Sequence, residues 1–210
     1  MTGADIKIDT PFLGLGSFTT PASTQDYTTN TGADYMAFAQ LGSDNLRRGV
    51  TSRIYAQVIN RGPADAAQPV KVRAFWASKG SSGYPALPAN FWSSFPDSDP
   101  DTTDWKPFGA ATTLAVLRAG EPQVVSWDYQ MPAEAADTVA VLTCVTSPED
   151  PVAEDSDPDK LDALKVATAN KRVALREVGV NIQAAEIIIG ILLLVGAAGA
   201  VAGAVIASKH

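Results

Sequence analysis

Histidine and cysteine are nearly missing from this chain, one of each in 210 residues, and their scarcity excludes whole classes of chemistry. The one histidine is His210, the last residue. Ser-His-Asp triads, Cys-His dyads and histidine-based metal sites therefore lack their central residue. Cys144 has no partner for an internal disulfide, which fits a reducing compartment. It lies in the most apolar candidate strand, where a lone thiol reads as a small buried hydrophobe rather than a nucleophile. No glycine-rich phosphate loop precedes a helix. Basic residues are outnumbered, 16 Lys and Arg against 23 Asp and Glu, for a net charge of −7, and form no stripe interleaved with aromatics. Nucleic acid is thus not an expected partner. The N-terminal residues Met1 to Thr10 carry no basic segment followed by an apolar run, so no secretory signal is expected. The reading is a non-enzyme with no cofactor and no catalytic residues.

What the chain does possess is a long apolar run near its C-terminus. From Ile187 to Ala207 there is no charge, no proline and nothing more polar than glycine. As a helix it spans roughly 30 Å, the thickness of a bilayer's hydrocarbon core. The expectation is a single-pass tail anchor in contact with lipid through residues 187–207. Gly199 and Gly203 stand four apart, and Gly196, Ala200 and Ala204 form a neighbouring row of small residues. Such rows allow close helix approach, so self-association in the membrane is an alternative to simple tethering. Burial of the run inside a large protein assembly stays open as a third reading. Lys165, Lys171, Arg172 and Arg176 precede the run and only Lys209 follows it. The positive-inside tendency then puts the preceding domain on the cytoplasmic side.

About 180 residues remain before the tail, enough for one substantial domain. Their hydrophobic pattern alternates with period two. Ile54, Ala56 and Val58 share one face of a strand that Arg61-Gly62-Pro63 ends. Val70, Val72, Ala74 and Trp76 share another, with Lys71 and Arg73 opposite. Further strands are expected at Val124–Tyr129, Thr138–Val145 and Val173–Ile182, with shorter ones at Asp5–Asp9, Tyr35–Gln40 and Thr112–Leu117. Thr138–Val145 is almost continuously apolar, as befits a strand buried on both faces. Helical periodicity outside the tail is confined to Asp159–Ala169. Seven or eight strands separated by turns predict a mainly β domain, an immunoglobulin-like antiparallel β-sandwich, plus one C-terminal hydrophobic helix. The boundaries are residues 1–32 for an N-terminal strand and flexible lead, 33–182 for the sandwich and 183–210 for the tail.

The segments Tyr55-Ala-Gln-Val-Ile-Asn-Arg-Gly-Pro63 and Val70-Lys-Val-Arg-Ala-Phe-Trp76 carry a recognisable pattern. So do Ala119-Gly-Glu121 before the strand with Trp127, Met131-Pro132, the strand with Cys144 ending at Ser147-Pro-Glu-Asp-Pro151, and Asn170-Lys-Arg-Val-Ala-Leu-Arg-Glu-Val178. Over Ile54 to Val180 the chain resembles immunoglobulin-like modules of the CARDB type, cell-adhesion-related domains of bacteria. The shared motifs are structural, so the resemblance implies a fold rather than an activity. The membrane tail and the long N-terminal lead depart from the usual pattern, and the secreted habit of such modules conflicts with the missing signal.

Two features of the loops bear on function. Asp97, Asp99 and Asp101 alternate as in a calcium loop, but Thr102 replaces the turn glycine and Phe108 the bidentate glutamate. They are weak calcium candidates beside the reading of a solvated acidic loop. The second acidic stretch, Glu149 to Asp159, reads as a charged linker. The long connection from Ser78 to Ala111 gathers Tyr84, Phe91, Trp92, Phe95 and Trp105, which either cap the sandwich or offer a partner contact. Function is expected to be protein–protein interaction or assembly at a membrane, the protein partner being unknown. The alternatives are an oligomerising, pore-forming, toxin-like effector and a structural subunit of a larger particle.

Overall fold

A computed structural model describes residues 6–8, 16–17, 45–49, 51–100, 104–152 and 158–181. The C-terminal run, with Gly196, Gly199, Ala200, Gly203 and Ala204, lies outside the described residues, as do Tyr35–Gln40 and Asp101. Among the described residues no helix is long and apolar enough to cross a membrane.

The domain is mainly β. Its strands are β1 (Ile6–Ile8), β2 (Gly16–Ser17), β3 (Leu46–Arg47), β4 (Thr51–Asn60), β5 (Val70–Ser78), β6 (Lys106–Pro107), β7 (Thr112–Leu114), β8 (Gln123–Gln130), β9 (Thr138–Thr146) and β10 (Val173–Asn181). Among the described residues two short helices join them, α1 (Phe91–Ser94) and α2 (Ala163–Ala169). In the first sheet β4 pairs with β8 on one side and with β1 and β2 on the other. The second sheet runs β3-β10-β9-β5-β6, with β7 also on β5. The expected purely antiparallel arrangement is corrected at one edge. There β3 pairs parallel to β10, Leu46 opposite Val180 and Arg47 opposite Asn181. Adjacent β3 and β4 belong to different sheets, so the chain crosses between sheets within a few residues.

The period-two faces of both sheets contribute to one buried cluster. Ile54 and Val58 of β4 and Trp127 of β8 share one buried cluster with Val70, Val72 and Trp76 of β5, Val139 and Val141 of β9, and Val178 of β10. Each large apolar side chain buried there contributes about 1.5–3 kcal/mol. The opposite face of the second sheet is equally dry: Phe75 and Ala77 of β5, Ala140, Leu142 and Cys144 of β9, and Val173 of β10 form a second buried cluster. Strand β9 sits between β10 and β5 and is buried on both faces. Its almost continuous apolar run is the sequence consequence. Burial also pushes the Cys144 thiol far above its ordinary pKa, so it stays protonated and inert.

The Asn60-Arg-Gly-Pro63 turn has a specific cause. Asn60 is fully buried. Its Oδ1 accepts from the Gly62 N–H at 2.9 Å, and its Nδ2 donates to the carbonyls of Ala64 at 2.9 Å and Leu117 at 3.2 Å. The Gly120 N–H donates to its main-chain carbonyl at 2.7 Å, from a left-handed φ of 76° that glycine adopts without strain. One amide therefore ties the end of β4 to the connection before β8.

The helix expected at Asp159–Ala169 is split into a 3₁₀ turn, Pro158–Leu161, and α2. Asp162 caps α2, its carboxylate accepting from the N–H groups of Leu164 and Lys165, both at 3.0 Å. Ala163 and Val166 face inward, while Leu164 is 53% exposed.

Candidate functional site

The connection between β5 and β7 folds back over the outer face of the second sheet. That face carries three rows across β5, β9 and β10: Arg73-Cys144-Val173, Phe75-Leu142-Leu175 and Ala77-Ala140-Glu177. Of the five aromatics singled out as partner contacts, Phe91, Trp92, Phe95 and Trp105 are buried at 0–7% exposure, and Tyr84 is half-buried. Phe75 lies 5.0 Å from Phe91 and 6.5 Å from Phe95 between ring centroids, both tilted, and Phe91 meets Trp92 edge-on at 4.8 Å. Three indoles are hydrogen-bonded: Trp92 to the Lys160 carbonyl at 2.6 Å, Trp105 to that of Pro85 at 3.0 Å, and Trp127 to that of Ala110 at 3.0 Å. The capping alternative therefore describes these four rings. They cover the apolar rows of the sheet, and a partner cannot reach them without opening the cap.

Two charged groups pin the cap to the sheet. The Arg73 side chain is buried, and its guanidinium donates to the carbonyls of Gly109 at 3.1 Å, Pro96 at 3.2 Å and Ser98 at 2.6 Å. It also pairs with Asp99 and lies 5.2 Å over the Phe75 ring. Lys71, two residues earlier on the same face, donates to both Asp97 oxygens at 2.6 and 2.8 Å. Two of the three calcium candidates are thus engaged by cations of β5, and a metal ion there would have to displace them. Among the described residues no group of three or more His, Cys, Asp or Glu side chains is placed to hold a metal ion. In the second acidic stretch Asp150 pairs with Arg172, which Asn170 also holds, and Glu149 accepts from the Ala67 N–H at 3.3 Å. This part of the stretch is tied to the body rather than free as a linker.

At the far end of the sheet, Lys79 and Tyr84 both donate to Glu177 of β10, the tyrosine at 2.6 Å, and the ammonium lies 5.5 Å over the tyrosine ring. Hydrogen bonds from Lys79 and then Tyr84 hold the Glu177 carboxyl below its ordinary pKa. The Tyr84 hydroxyl is pushed up to about 12, first because it donates to that carboxylate and second by burial. The folded state releases the Glu177 proton more readily than the unfolded chain. The clasp's contribution is therefore complete above the ordinary glutamate pKa and disappears as pH falls through the lowered one. Tyr84 has the opposite sense: its contribution is complete below pH about 10 and is lost as pH rises toward 12. Absorbance at 295 nm should show Tyr84 ionising above the unfolded tyrosine range, and Glu177→Gln should bring that titration down. Unchanged titration in the variant would show that the clasp does not form.

Arg73 and Glu177 carry this arrangement, and neither was singled out from the sequence as a site. A lysine and an arginine at alternate positions on an apolar strand, Lys71 and Arg73, are the signal that was present. Buried charge on a strand face demands partners, and the aspartates of the following loop supply them.

No family model matches the sequence, and no curated protein matches it. Among solved structures, the chain is similar to a CARDB domain from Pyrococcus furiosus, crystallised in complex with di-metal ions. The identity is 15%, over 65% of this chain and 78% of that one, with a TM-score of 0.37. It is similar to a β-glucosidase from Listeria innocua in complex with gluconolactone at 12% identity, over 65% of this chain and 14% of that one, TM-score 0.34. A hemolymph-type prophenoloxidase from a crustacean is similar at 10% identity, over 64% and 25%, TM-score 0.36. Similarities this distant assign neither family nor activity.

Proposed function

We propose that the chain is a non-catalytic, CARDB-like immunoglobulin β-sandwich that mediates protein–protein contact or assembly and is held at a membrane by its C-terminal run. The observation that carries the proposal is the uncharged segment Ile187–Ala207, whose length as a helix matches the roughly 30 Å of a bilayer core. The fold narrows where a partner could sit. Both faces of the second sheet are covered by the chain's own side chains, so the aromatic cap is not the contact surface. Strand edges are the surfaces this reading favours. Among the described residues nothing pairs with β8 on the side away from β4, and beyond β10 lies only the two-residue β3. Unpaired edges favour a partner that adds a strand.

Flotation of the full chain with lipid vesicles tests the anchor. Wild type should rise with the vesicles. Leu193→Arg combined with Val201→Arg should remain below, because each central charge costs about 2.5–3.5 kcal/mol in insertion. A wild-type chain that stays soluble and monomeric would remove the anchor from the proposal. Release of a trapped dye by wild type, abolished by Gly199→Leu and Gly203→Leu, would replace tethering by the pore-forming reading, which rests on the rows of small residues in the run.

A further inference from the structure

Three polar groups without a hydrogen bond or ion pair among the described residues line one cleft at the end of the second sheet, in a domain that pairs most of its other charges. The cleft has a volume of about 310 Å³ and is lined by Trp76, Asp104, Lys106, Glu134 and the hairpin of residues 80–83. Trp76 is only 2% exposed, and its Nε1 is buried with no hydrogen-bond partner. The other three indoles each donate to a carbonyl, so the unpaired N–H belongs to the tryptophan that lines the cleft. Lys106 faces Trp76 across the β5–β6 pair, on the same side of the sheet, and its ammonium lies 5.1 Å over the ring. That ring is the only partner of the Lys106 ammonium among the described residues. Glu134 likewise has no hydrogen bond or ion pair among them. By contrast Lys71, Arg73, Lys79, Arg48 and Arg172 each hold a carboxylate.

We propose that this cleft binds a small zwitterion, of amino-acid size, whose carboxylate is received by the Trp76 indole N–H and the Lys106 ammonium and whose cationic end faces Glu134. A buried indole N–H without an acceptor is an uncompensated cost, and an acceptor brought by a ligand removes it. A simple anion would meet the carboxylates of Asp104 and Glu134 at the rim, and a simple cation would meet Lys106 within. A ligand carrying both charges satisfies both. The volume suits such a molecule and lies at the small end of ligand sites. Because the indole nitrogen is covered, entry requires a local displacement. The hairpin of residues 80–83 is suited to it, being mostly exposed and closed by two backbone hydrogen bonds, Gly80 to Gly83 at 3.0 Å and the reverse at 3.1 Å. The inference does not depend on the tail and stands apart from the membrane proposal.

The test is titration of the ¹⁵N-labelled full chain in detergent with glycine, followed through the four tryptophan indole resonances. The Trp76 resonance, assigned with Trp76→Phe, should move downfield and saturate while the other three stay in place. Acetate or methylamine alone should bind at least about 10-fold more weakly, the factor expected for one lost charge-assisted contact. Lys106→Met and Glu134→Gln, both at surface-accessible positions, should each weaken glycine binding by a similar factor with the indole pattern of the folded chain retained. An unmoved Trp76 resonance at saturating glycine overturns the proposal. So does a shift of equal size with acetate, one that survives Lys106→Met, or a Trp76 N–H that exchanges with solvent as fast as an exposed indole, which would mean that water serves it.

Discussion

Arg73→Met lowers the stability of the domain by about 3–5 kcal/mol, the order expected when several part-buried carbonyls lose one shared charged donor. Methionine preserves much of the side-chain volume over Phe75, so the loss reports the hydrogen bonds. The carbonyls of Gly109, Pro96 and Ser98 lose their shared donor, and a part-buried carbonyl without a donor costs about 1–3 kcal/mol. The ion pair with Asp99 is the lesser part, because the aspartate side chain is 69% exposed and regains water when its partner goes. Asp99→Ala should therefore cost only about 0–1 kcal/mol. Urea unfolding of the two variants, with near-UV circular dichroism to report aromatic packing, separates the contributions. Equal losses would show that the ion pair, not the carbonyl contacts, holds the cap.

Phe91→Ala should cost a similar amount, about 3–5 kcal/mol, by a different mechanism. Phe91 is fully buried on a helix of one turn, against Phe75 at 5.0 Å and Trp92 at 4.8 Å. A helix that short has no stability of its own, so α1 is held by the packing of this face together with the Trp92 indole bond to the Lys160 carbonyl. Truncation leaves a cavity that collapse of the loop fills only by exposing Phe95 and Trp92 to water. Phe91→Leu should cost much less, about 1–1.5 kcal/mol, since it keeps most of the volume. The Phe75→Leu, Phe91→Leu double variant should show a coupling of about 0.5–1.5 kcal/mol for the ring contact. Thermal unfolding followed by tryptophan fluorescence measures all three. A loss below about 1 kcal/mol for Phe91→Ala would mean that the cap is not packed on the sheet.

Much of the β framework was legible because its signal is local. Val70, Val72, Ala74 and Trp76 alternate with Lys71, Arg73 and Phe75, and that pattern places β5 whatever surrounds it. The almost continuous apolar run in β9 foretold a central strand for the same reason. The parallel pairing of β3 with β10 was not legible. Two residues carry no period, and their partners lie more than a hundred positions away. Nor was α1, since Phe91-Trp-Ser-Ser94 is too short to display helical spacing and takes its shape from the sheet beneath it. Of the helix expected over Asp159–Ala169, the α-helical part begins only at Ala163, because the Asp162 cap sets where the first turn begins.

The candidate site divides along the same line. The sequence located the aromatic loop and the aspartates but left two uses of each open. Burial of Phe91, Trp92, Phe95 and Trp105 decided for capping, and the pairing of Asp97 and Asp99 with Lys71 and Arg73 gave those carboxylates a structural task.

By itself the sequence determined the β character, the positions of the long strands, the inertness of Cys144 and the presence of a bilayer-length apolar run. These follow from composition and short-range periodicity, which need no knowledge of the fold. Only the tertiary structure decided that the second sheet is dry on both faces, that one buried arginine holds the cap, and that Trp76, Lys106 and Glu134 line the same cleft. Those facts depend on which distant residues meet. Meeting is set by the summed packing of the whole domain rather than by any segment within it.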